Sequence, residues 1–226
     1  MLALVGSGEY LPPMEAVDRE LMRRLGAPAR VVCLPTAAGT EGRERISYWS
    51  RLGEEHFSQL GAQVEAVPVI DRASANDPAL AEKIAAANFV YLSGGKPDYL
   101  YRTLHNSLAW QSIQTVLNKG GLLAGCSAGA MVLGEVFYGF PGIRKGFNFL
   151  HKAAIMPHFE EIPAAMLHSL RLLTSGDITL LGIEGNTALV KTDDQLEVLG
   201  SGGVTIWNHS GRKRYTEGTL SYLPAT

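Results

Sequence analysis

Cysteine is scarce in this chain of 226 residues: Cys33 and Cys126 are the only two. They are too few and too far apart for a disulfide framework or a zinc site. Each lies beside a strand-like apolar run, so both read as buried thiols of a reducing compartment, which points to the cytoplasm. An excess of either charge is also lacking. Lys and Arg number 20 against 22 Asp and Glu, a formal charge of -2, and the charges are scattered. No basic stripe is offered to nucleic acid or to an anionic membrane surface. Missing too is an apolar run long enough to span a bilayer. The opening residues 1–8 carry no basic segment ahead of their apolar stretch, so neither a signal peptide nor a membrane span is expected. Phosphate-binding signatures are absent as well. Gly6-Ser7-Gly8 is too short for a dinucleotide fingerprint, and Ser93-Gly94-Gly95-Lys96 lacks the spacing of a P-loop. Neither a cofactor nor a metal is expected.

What is present suits a globular α/β chain, 46% hydrophobic with 25 glycines. The length fits a single α/β domain over residues 1–226. Apolar, β-branched runs at 2–5, 30–34, 63–67, 89–92 and 122–124 read as strands covered on both faces. Between them, 13–25, 43–60, 78–87 and 99–118 carry helical spacing. Asp77 before Pro78 has the form of an N-cap followed by proline at the first helical position. Alternation of this kind predicts βαβ units, a mostly parallel sheet and a three-layer sandwich. Short strands at 180–183, 187–191, 196–198 and 204–207, divided by Gly- and Asp-rich turns, predict antiparallel hairpins at the sheet edge near the C-terminus. Such late edge strands are compatible with a homodimer.

Chemistry concentrates at Gly125-Cys126-Ser127-Ala128-Gly129-Ala130, which follows the strand 122–124 and precedes a helical pattern at Met131-Val132-Leu133. A serine between a strand end and a helix start must turn sharply, and small neighbours at 125, 128 and 129 allow it. Ser127 is thereby lifted into the open beside the positive end of a helix, where developing negative charge is favoured. Cys126 competes as nucleophile, but at this position of an elbow its side chain points away from the apex into the interior.

A serine needs a base. His158 follows the strand-like 153–156 in Pro157-His158-Phe159, at the C-terminal strand ends where catalytic groups of open α/β sheets gather. For the acid that orients the imidazole, Glu160 lies on the same loop. Glu135, read as two helical turns beyond the elbow, and Glu184, at a strand end, are the alternatives, and Glu161 stands in the same neighbourhood. Backbone N–H groups of Ala128 and of Gly95, in the turn after 89–92, are the expected oxyanion donors.

These segments, in this order, together with the run from Gly182 to Val190, resemble the S51 peptidase family. That family includes aspartyl dipeptidase (peptidase E) and cyanophycinase and is built on the flavodoxin-like fold of class I glutamine amidotransferases. The resemblance implies a serine peptidase that cleaves a small peptide or isopeptide bond without metal or organic cofactor. It implies Ser127 as nucleophile, His158 as base, and Gly95 and Ala128 at the oxyanion. The sequence departs from the peptidase E pattern in two places. Gly142 stands where an acid follows the serine, with no carboxylate between Glu135 and Glu160. A Gly-Glu-Thr-Arg stretch that reads the substrate is replaced by residues 160–171, in which Arg171 is a candidate for a substrate carboxylate. Glutamine amidotransferases place their acid two residues after the histidine, as Glu160 stands here. A serine esterase or amidase acting on a small non-peptide substrate, and a non-catalytic binding domain of the same fold, are the alternative readings.

Overall fold

The computed structural model describes residues 1–139, 142–163, 166–167, 177–193 and 195–220. Up to Cys126 the chain alternates strand and helix as expected. Strands β1 (Leu2–Val5), β2 (Arg30–Leu34), β3 (Gln63–Ala66), β4 (Phe89–Leu92) and β5 (Leu122–Cys126) are parallel neighbours in the order β1-β5-β4-β2-β3. They are connected by α1 (Glu15–Arg23), α2 (Arg43–Gln59), α3 (Arg72–Ala75), α4 (Pro78–Ala85), α5 (Pro97–Leu104) and α6 (Leu108–Asn118).

Side chains along a strand alternate between faces. Leu2, Leu4, Val32, Leu34, Val90 and Leu92 therefore enter one core with Leu100, Leu104 and Ile113 of α5 and α6. Ala3, Val5, Val31, Cys33, Phe89 and Tyr91 enter another with Val17 and Leu21 of α1 and Phe57 of α2. Both faces are covered, which is why these strands carry unbroken apolar runs. Asp77 caps α4 by accepting from Ala79 N at 2.8 Å, with Pro78 at the first helical position, as the sequence indicates.

Two local differences from expectation have identifiable causes. The helical stretch 99–118 is two helices, broken at Asn106 with φ 55. Ser107 accepts from Trp110 N at 3.1 Å and donates to Leu104 O at 2.7 Å. A hydroxyl that satisfies both helix ends makes the break favourable. After the elbow, helix α7 (Ala128–Met131) lasts one turn. The chain then forms β6 (Gly134–Gly139), β7 (Gly142–Lys145) and β8 (Leu150–Met156), so Glu135 lies on a strand and not on a helix. The Val136-Phe137-Tyr138 run suits a strand better than a helix.

Strand β9 (Thr179–Ile183) runs parallel to β8. Strands β10 (Thr187–Lys191) and β11 (Leu196–Gly200) return as an antiparallel hairpin beside β1. Strand β12 (Val204–Asn208) pairs with β9 and β13 (Gly211–Tyr215) with β12, while β14 (Gly218–Leu220) closes the large sheet beyond β11. The result is an eight-stranded sheet, β14-β11-β10-β1-β5-β4-β2-β3, and a six-stranded one, β13-β12-β9-β8-β6-β7. Hairpins at the edge of one sheet were expected; β10 and β11 fit this, whereas β9 and β12 belong to the second sheet. Phe137, Leu150, Ile155, Leu181 and Val204 join the core shared with α5 and α6, so the second sheet packs on that face of the first. Among the described residues, no helix is long and apolar enough to cross a membrane.

Candidate active site

Strand β5 ends at Cys126 and α7 begins at Ala128, leaving Ser127 alone to turn the chain at φ 50, ψ −113. Its N–H donates to Val5 O at 3.0 Å, which pins the turn to the end of β1. A Cβ on Gly125 would stand 2.4 Å from Gly129 O, and one on Gly129 2.4 Å from Leu92 O. Only glycine lets the strand, turn and helix close this tightly. The Ser127 side chain is left partly exposed. Ala128, at the first helical position, has an N–H with no intrahelical acceptor.

His158 follows β8, in the left-handed conformation at φ 51, ψ 38. Its Nε2 lies 3.3 Å from Ser127 Oγ. The serine thus comes from the eight-stranded sheet and the histidine from the six-stranded one. Glu160 is not brought to the imidazole: its Oε1 accepts from Gly185 N at 2.8 Å. Glu135 accepts from Lys152 N at 2.8 Å and stands 2.7 Å from His151 Nδ1. Glu184 grips the Arg214 guanidinium with both oxygens and accepts from Gly203 N at 2.9 Å. The hydrogen bonds from Arg214 hold its carboxyl below the usual range. Glu161 is the carboxylate facing the other imidazole nitrogen, with Oε1 3.6 Å from His158 Nδ1. Arg171 lies outside the described residues.

Beside the serine runs the turn after β4. Gly95 has φ +141, and a Cβ there would stand 2.6 Å from Ala37 O, while Lys96 N donates to that carbonyl at 2.9 Å. The neighbouring Gly94 N donates to Glu9 Oε1 at 3.0 Å. The second Glu9 oxygen accepts from Cys126 Sγ at 2.8 Å. Burial first, and then the nearby Glu9, push the Cys126 thiol well above its usual range. It stays a buried, protonated donor, whereas Ser127 is partly exposed. Glu9 was missed from the sequence, although an acid directly after Gly6-Ser7-Gly8 at a strand end was the signal for it. Among the described residues, no group of three or more His, Cys, Asp or Glu side chains is arranged to hold a metal ion.

A mostly parallel sheet carrying a sharp Gly-Cys-Ser-Ala-Gly turn, with a histidine within reach of the serine, defines an α/β sandwich of the class I glutamine amidotransferase-like, flavodoxin-like type. Residues 2–199 match the model of peptidase family S51, and the chain belongs to that family. It is similar to a peptidase from an acI-B1 Actinobacterium of known crystal structure, at 35% identity and a TM-score of 0.89, over 98% of this chain and 96% of that one. A protein from Listeria monocytogenes EGD-e described as a candidate peptidase E shares the fold. Its TM-score is 0.66 at 17% identity, over 88% of this chain and 98% of that one. No curated protein matches the sequence. The family supports a peptidase or related hydrolase function.

Proposed function

We propose that the chain is a serine peptidase that hydrolyses a small peptide or isopeptide amide bond through an acyl-enzyme on Ser127. The observation that carries this reading is the 3.3 Å approach of Ser127 Oγ to His158 Nε2 at the apex of the elbow. His158 removes the Oγ proton as the oxygen attacks the amide carbonyl. The N–H groups of Gly95 and Ala128 hold the tetrahedral oxyanion, and the imidazolium then gives its proton to the leaving amine. Water activated by the same imidazole releases the acyl group. Glu161, facing Nδ1, is assigned the orienting role that Glu160 was expected to fill. Glu160 instead holds the histidine's loop to the β9–β10 turn through Gly185.

Fluorophosphonate labelling followed by peptide mass spectrometry tests the nucleophile independently of substrate. The label is expected on Ser127, and Ser127→Ala is expected to abolish turnover of any dipeptide or isopeptide that the wild-type chain cleaves. Undiminished hydrolysis by that variant refutes the assignment. Turnover of esters without turnover of dipeptides favours the esterase alternative.

A further inference from the structure

Glu9 is 7% exposed and lies in the turn that follows β1, outside the serine–histidine pair. One of its oxygens accepts from Gly94 N at 3.0 Å and the other from Cys126 Sγ at 2.8 Å. A single carboxylate therefore bridges two segments from different strands, the turn after β4 and the residue immediately before Ser127. The two segments are in close contact at this point. A Cβ on Gly94 would stand 2.8 Å from Glu9 Oε1 and 3.4 Å from Ser127 Cβ. The adjacent Tyr10 reinforces the same clamp, its hydroxyl 3.1 Å from Ser93 Oγ. Both side chains issue from one short stretch in which Gly8 has φ 86 and Tyr10 has φ 63.

We infer that Glu9 is a positioning residue that sets the spacing between the two oxyanion donors, Gly95 N–H on one segment and Ala128 N–H on the other. This rests on the reading of Ser127 as an acyl-transfer nucleophile. Oxyanion donors act only when aimed at the oxygen as charge develops, and loss of one such donor lowers kcat by about 10²–10³. A displacement of the order of 1 Å in a positioning group carries a penalty of about 10². Oε1 fixes Gly94, one residue from the first donor, and Oε2 fixes Cys126, two residues from the second. Without the carboxylate, the turn after β4 and the elbow lose their only shared side-chain acceptor among the described residues.

The test compares Glu9→Ala, Glu9→Gln and the wild-type chain by the rate of fluorophosphonate labelling at Ser127, by kcat and KM on a cleaved dipeptide, and by hydrogen exchange of the Gly94 amide. Glu9→Ala is expected to label about 10²-fold more slowly, with KM little changed and the Gly94 amide exposed to exchange. Glu9→Gln keeps an acceptor for Gly94 N and is expected to recover most of the labelling rate and the amide protection. A folded Glu9→Ala chain that labels within about threefold of wild type, below the penalty expected for a displaced group, overturns the inference. Equal slowing in both variants with the Gly94 amide still protected also overturns it, since charge and not position would then be at work. If Glu9→Ala does not fold, Glu9→Gln with Cys126→Ala decides: loss of labelling in the double variant but not in Glu9→Gln supports the clamp, and undiminished labelling refutes it. Wild-type label on a residue other than Ser127 refutes the functional reading itself and is distinguishable from every outcome above.

Discussion

Ser127 holds φ 50, ψ −113, a conformation that a side chain with a Cβ occupies at a strain of about 1–3 kcal/mol. Two variants without the hydroxyl isolate that strain. Ser127→Ala keeps the Cβ and with it the strain. Ser127→Gly removes both, at a cost of about 0.5–1 kcal/mol for the greater freedom of glycine in the unfolded chain. The difference leaves the glycine variant more stable by about 1 kcal/mol, which reverses the usual order of these residues beside a helix. For a chain of this size, 1 kcal/mol corresponds to about 2–4 °C in the thermal midpoint. Melting both variants at the same pH and concentration, with urea titration as a second measure, reads the difference directly. Since neither variant has the hydroxyl, lost catalysis does not confuse the comparison. A glycine variant that melts at or below the alanine variant refutes the reasoning, because the turn would then be relaxed and not held by its neighbours.

Two further outcomes follow from buried or paired groups. Asp18 is fully buried, with Oδ2 2.8 Å from His56 Nε2 and Oδ1 without a hydrogen-bond partner. His56→Ala leaves this buried carboxyl without its hydrogen-bond partner and is expected to lose about 1–3 kcal/mol in urea denaturation; an unchanged stability contradicts the pairing. Arg214 lowers Glu184 from its usual 4.5, so their interaction contributes stability above that pH and loses it as pH falls through the folded-state value. Arg214→Ala should therefore flatten the acid limb of a stability–pH curve, and an unchanged limb contradicts this.

The five parallel strands were legible in the sequence because burial on both faces leaves unbroken apolar runs. The sharp turn at Ser127 was legible because its backbone demands small residues at fixed positions, and those demands reappear as the contacts of Gly125 and Gly129 with their neighbours. A strand ending just before His158 was legible in the sequence, and β8 does end there, although it belongs to a different sheet from β5. What escaped notice depends on pairing across long separations. Nothing in the local pattern of 179–183 or 204–208 says which sheet a strand joins. The break at Asn106 turned on one hydroxyl with two local partners. Which carboxylate faces the imidazole was not legible for a similar reason. Glu160 and Glu161 are adjacent and alike in the sequence, and only the position of Gly185 N decides that one carboxylate turns away while the other faces Nδ1.

Ser127 ends a strand of the eight-stranded sheet and His158 ends a strand of the six-stranded one, so their 3.3 Å approach exists only when the two sheets are docked. Either sheet formed alone leaves the hydroxyl and the imidazole apart. Under the proposed function, labelling of Ser127 by a fluorophosphonate would therefore report that the two sheets have docked.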